Sequence, residues 1–82
     1  MYVHIGKDMV IESENIIAIL DVESLIKKKN LEEVLQNLKI SDNIIDVSEK
    51  NKKSLIIVNK NNKNFGYITN ISTTTLGKRA VR

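Results

Sequence analysis

The sequence predicts an α+β domain, a small β-sheet packed by one main amphipathic helix and a short C-terminal helix. Three observations carry this. β-prone apolar runs stand on both sides of a single helical pattern. That pattern opens with capping-box spacing, Asn30 with Glu33 three residues on. Two of the strand runs, "IIAIL" (Ile16–Leu20) and "LIIV" (Leu55–Val58), are continuously apolar, as in strands covered on both faces.

Taken in order, Tyr2–Ile5 and Met9–Ile11 read as short strands with Gly6 between them, and Asn15 precedes the third, Ile16–Leu20. From Asp21 to Lys29 the chain is mostly polar. Leu31, Val34, Leu35 and Leu38 then recur at i, i+3, i+4 and i+7, an amphipathic helix of about two to three turns. Glu32 and Glu33 in its first turn and Lys39 in its last complement the helix dipole. Ile44–Val47, Leu55–Val58 and Phe65–Ile71 follow as strands. The Asn-rich turn Asn59–Asn64 tolerates left-handed backbone and closes a hairpin. Ser72 caps a last short helix through Thr75 and Leu76, which Gly77 weakens.

Eighty-two residues, 41% apolar and 28% charged, form one domain, residues 1–82, with no internal repeat or linker. A chain of this size buries only about 60% of its unfolded surface. It has no cysteine for a disulfide or thiolate metal site, and His4 is its one histidine, so association with copies of itself is the remaining source of stability. The continuous apolar strands agree, because one amphipathic helix cannot cover both faces of a sheet. The most economical second cover is another copy, and the expected state is a homo-oligomer larger than a dimer.

Charge is segregated along the chain. Residues 1–41 carry five basic and seven acidic side chains, residues 42–82 eight basic and three acidic. After Glu49 no acid follows, while Lys50, Lys52, Lys53, Lys60, Lys63, Lys78 and Arg79 all do. Clustered cations suit a polyanion, because neutralising phosphates releases condensed counterions. The Lys27–Lys29 run precedes the Asn30 cap, where cations oppose the helix dipole; it reads as a solvated turn, with phosphate contact as the alternative.

Catalysis finds no support. His4 has no second His or Cys with which to share a metal and reads as a structural, partly buried residue. Asp8, Glu12 and Glu14 lack the glycine and terminal Glu of a calcium loop and read as a solvated face or an interface partner for lysines. "TLGKRA" is no phosphate-cradling loop, because Ser72 stands where that loop needs its first glycine. A binding module therefore outranks an enzyme, with no cofactor, metal or small-molecule substrate expected. The start "MYVHIGKDMV" lacks the pattern of a signal peptide, and no apolar stretch approaches the roughly 20 residues of a membrane span, so a cytoplasmic protein without a membrane partner is expected.

"YVHIG" at the start, "NIIAILD" at Asn15–Asp21, "SLIIV" at Ser54–Val58 and "ISTTTLGKRA" at Ile71–Ala80, in this order and at these separations, resemble the RemA/RemB family of extracellular-matrix (biofilm) regulators of Gram-positive bacteria, the RemB-type branch most. The resemblance covers nearly the whole chain and is weakest across Val22–Ser48. It implies a bacterial transcription regulator that assembles into rings with double-stranded DNA following a basic outer face. It also implies DNA contacts just before the third strand and just before the "LIIV"-like strand, where RemA-like members carry arginines. This chain offers Asn15 at the first place, and Lys52 with Lys50 or Lys53 at the second. Lysine neutralises a phosphate as a point charge but lacks arginine's bidentate fork, and Asn15 brings no charge, so phosphate tracking rather than base readout is implied.

The expected nucleic-acid contacts are therefore Asn15, Lys50, Lys52, Lys53, Lys60, Lys63, Lys78 and Arg79, with Asn15 projecting toward the same ligand face as Lys52. Two other readings remain open. One is an RNA-associated module using Phe65 and Tyr67, on one face of a regular strand, for stacking. The other is a protein-interaction subunit whose charge serves solubility.

Overall fold

The computed structural model describes residues 1–27 and 30–80. Lys28 and Lys29 of the Lys27–Lys29 run lie outside them. The elements are β1 (Tyr2–Gly6), β2 (Met9–Glu12), a 3-10 turn at Ser13–Asn15, β3 (Ile16–Asp21), α1 (Val22–Ile26), α2 (Leu31–Asn37), β4 (Ile44–Asp46), β5 (Ser54–Lys60), β6 (Lys63–Thr69) and α3 (Thr73–Ala80). The predicted α+β class is what folds. β1 and β2 form an antiparallel hairpin, and the other strands form a sheet in the order β3-β5-β6-β4, with β4 parallel to β6 and the remaining pairs antiparallel.

Turn chemistry fixes both hairpins. Asn61 and Asn62, between β5 and β6, hold φ of 53° and 64°, the left-handed pair that matches strand twist. Lys7 and Asp8, between β1 and β2, do the same at 45° and 61°. Gly6 before them sits at φ 124°, beside a register shift in β1.

Asn30 caps α2 as its spacing predicts, its Oδ1 accepting from the Glu33 amide at 2.7 Å. The far end differs from expectation: Lys39 lies beyond the last turn, at φ 61°. Its amide bonds the Gln36 carbonyl and the Ile40 amide bonds the Leu35 carbonyl, the paired C-terminal closure usually built on glycine. Ile40, 1% exposed, anchors it. α1, in a stretch read as merely polar, is capped by Asp21, which accepts from the Ser24 amide and hydroxyl. α3 starts from Ser72, whose Oγ accepts from the Thr75 amide at 3.2 Å, and runs to Ala80, past Gly77.

The chain itself covers both faces of β5, where another copy was expected to be the most economical second cover. Leu55 and Ile57 point into a cluster with Val22, Leu35, Ile40 and Ile68, under α1 and α2. Ile56 and Val58 point the other way, against Val3, Ile5, Ile11, Val47 and Leu76, under the β1–β2 hairpin and α3. Five consecutive residues, Ser54–Val58, are buried. Sequence patterning recognised the two-sided burial but not that the N-terminal hairpin folds back as the second layer. β3 is different: it is an edge strand, and Ile17 on it is 60% exposed.

Gly66 explains itself by close approach. A Cβ there would lie 2.5 Å from Ile44 Cδ1 and 2.9 Å from Ile40 Cδ1, so the missing side chain lets both isoleucines close over β6.

Candidate nucleic-acid interface

The basic segment ahead of β5 is held by backbone bonds on both sides. The Lys53 amide donates to the Thr69 carbonyl at 2.9 Å, and the Lys53 carbonyl accepts from the Val22 amide at 2.9 Å. Val47 donates to the Ile68 carbonyl, Lys50 to the Ser48 carbonyl, and Glu49 takes φ 61°, so the path from β4 to β5 is tied near both of its ends. Lys50, Lys52 and Lys53 are exposed on it.

Asp46 organises this segment. Its Oδ1 accepts from both the amide and the hydroxyl of Ser48, a residue 1% exposed, and its Oδ2 lies 3.3 Å from Lys52 Nζ. Burial works to raise the Asp46 pKa, but the Ser48 hydroxyl and amide, with Lys52, outweigh it and hold the carboxyl below the usual carboxylate value.

The eight expected contact residues do not form one patch. Lys50, Lys52 and Lys53 stand at the start of β5, whereas Lys60 and Lys63 face each other across the turn at its far end. Asn15 belongs with the second group. β3 runs antiparallel to β5 with Ile16 opposite Val58 and Asp21 opposite Ser54, so Asn15 lies about 20 Å from the Lys52 end. Asn15, half-buried, instead lines a cleft of about 220 Å³ with Tyr2, Glu12, Lys60 and Tyr67, and its Nδ2 lies 3.5 Å from Glu12 Oε2. Asn15 and Lys52, expected to project toward one ligand face, thus stand at opposite ends of the β3–β5 pair. Strand direction decides this: residues just before two antiparallel partners sit at opposite ends.

Lys78 and Arg79 form a third group, in the last turn of α3, where cations also complement the helix dipole. Arg79 Nη1 donates to the His4 carbonyl at 2.9 Å, so the guanidinium is partly committed to β1. The His4 side chain itself is exposed rather than partly buried as expected.

One exposed cation outside the expected set is Lys7, in the β1–β2 turn. Gly6 packs so closely on Val47 that a Cβ would lie 3.2 Å from its carbonyl oxygen, which docks the base of that turn on the residue after β4. No local signal announces this, because the docking of the hairpin is a long-range event.

Phe65 and Tyr67 pack against the core under the hairpin, both half-buried, with Tyr67 also on the wall of the cleft. Asp8, Glu12 and Glu14 do not converge: Asp8 is in the β1–β2 turn and Glu12 ends β2. Among the described residues no group of three His, Cys, Asp or Glu side chains could hold a metal, and no helix is long and apolar enough to cross a membrane.

A family model described as RemA-like, extracellular matrix regulatory protein A-like, matches residues 2–80, without distinction of branch. No curated protein matches the chain.

Proposed function

The chain belongs to the RemA-like family of extracellular matrix regulatory proteins, and on that premise we propose that it regulates matrix production as a cytoplasmic, oligomeric DNA-binding protein of the RemA/RemB type rather than as an enzyme. The observation that carries the reading is the Lys50–Lys53 segment, its lysine side chains exposed while backbone bonds tie its two ends, Lys50 to Ser48 and Lys53 to Thr69 and Val22. Fixed cations lose less freedom on meeting a phosphate backbone than cations on a slack loop. Repetition around an oligomer multiplies such modest contacts into usable avidity. Asn15 and Lys52, about 20 Å apart within a subunit, then touch one duplex when it spans the sheet or when neighbouring subunits bring unlike ends of the sheet together.

Fluorescence anisotropy of a labelled duplex over a salt series, with the solution mass measured alongside, tests this. Affinity should fall steeply as salt rises. Replacing Lys50, Lys52 and Lys53 together by alanine should weaken binding to all sequences alike and leave the oligomer intact. Unchanged affinity in that variant would remove the segment from the interface.

A further inference from the structure

In the Lys50–Lys53 segment one lysine differs from its neighbours. Lys52 is ion-paired to Asp46, while Lys53, also exposed, has no ion pair among the described residues. The pairing acid is not a loose surface side chain. One carboxylate oxygen is held by two donors of buried Ser48, which leaves the other directed at Lys52. A carboxylate oxygen 3.3 Å from an ammonium occupies the place a phosphate oxygen would take.

We propose that Asp46 is a built-in competitor for the polyanion, an intramolecular stand-in for a phosphate that holds Lys52 in reserve and sets how strongly this end of the molecule binds. The proposal rests on the reading of this segment as a phosphate-binding surface. A polyanion that engages Lys52 must first displace Asp46, so Lys52 contributes less than its charge implies. Glu49, exposed in the same segment, adds a second negative charge, but no ion pair joins it to a lysine among the described residues. The arrangement keeps three clustered lysines from binding every polyanion at full strength. Weakening the clamp tightens binding without adding a cation.

Asp46→Asn tests the idea, because the amide oxygen still accepts from Ser48 while the charge opposite Lys52 is gone. Two readouts are needed: salt elution from immobilised heparin, and the salt dependence of duplex binding. The variant should elute from heparin at higher salt, bind duplex about fivefold more tightly at 0.1 M salt, and steepen the slope by about 0.9. Later elution from heparin with no duplex binding by either protein would support the clamp and refute the DNA reading. Unchanged or earlier elution by a folded Asp46→Asn protein would overturn the clamp. Should that variant not fold, Lys52→Gln and Lys53→Gln decide the matter in the native background. Lys52→Gln should shift heparin elution clearly less than Lys53→Gln, and an equal or larger shift would overturn the proposal.

Discussion

Asn15 and Lys60 share the walls of one cleft, although 45 positions separate their numbers, while Lys52 stands at the opposite end of the strand that carries Lys60. β5 thus has a cationic segment before it and a cationic turn after it, with a buried apolar centre between. Any polyanion that meets both ends must span the sheet or cross from one subunit to the next.

Asn15→Arg should add a phosphate contact at the Lys60 end. The magnitude of the duplex salt slope should rise by roughly 0.9, and the gain should persist when Lys50, Lys52 and Lys53 are alanine, because sites this far apart act independently. An unaltered slope in a stable, normally assembled variant would take the Asn15 end out of the interface.

Self-association should involve the edge of β3. Ile17 is 60% exposed on a strand with a free edge, the arrangement that another chain can cover. Light scattering should give a mass above that of a dimer of the 9.3 kDa chain, and Ile17→Lys should lower it. A wild-type monomer at micromolar concentration would refute the oligomer.

Glycine is placed where α3 does not need it and missing where α2 could use it. Gly77 has nothing within 4 Å of a Cβ position, so Gly77→Ala should stabilise by about 0.5–1 kcal/mol. Lys39→Gly should relieve the left-handed strain of a side-chain-bearing residue and gain up to about 1 kcal/mol. Gly66→Ala should act oppositely and cost about 1–3 kcal/mol, because Ile40 and Ile44 must give way. Urea titration of the three variants would rank them.

Acid should act on the Asp46 segment with a definite sign. The folded protein holds this carboxyl below its usual value of 3.8, so its contribution to stability is present above that pH and lost as pH falls through the folded value. Urea midpoints measured downward from pH 5 should therefore fall further for the wild type than for Asp46→Asn. Parallel curves would remove Asp46 from the acid response.

The sequence by itself determined whatever depends on neighbours along the chain. Asn30 and Glu33 with Leu31, Val34 and Leu35 specify α2, because a cap and a 3.6-residue stripe are local devices. Asn61 and Asn62 specify the β5–β6 turn through their tolerance of positive φ, and Ser72 specifies the start of α3. The same logic applied to Asp21, Val22 and Leu25 would have found α1, whose cap and apolar spacing are equally local. The cations of the candidate interface were legible as a list, since charge needs no fold to be counted. Their grouping was not. Antiparallel pairing of β3 with β5 put Asn15 beside Lys60, docking of Gly6 on Val47 tied the base of the β1–β2 turn to the end of β4, and the return of Val3, Ile5 and Ile11 over Ile56 closed the second face of the sheet. Each of these joins residues dozens of positions apart. Only tertiary structure decides them, because apolar burial is non-directional along the chain and the choice among possible partners is made by which packing covers both faces at once.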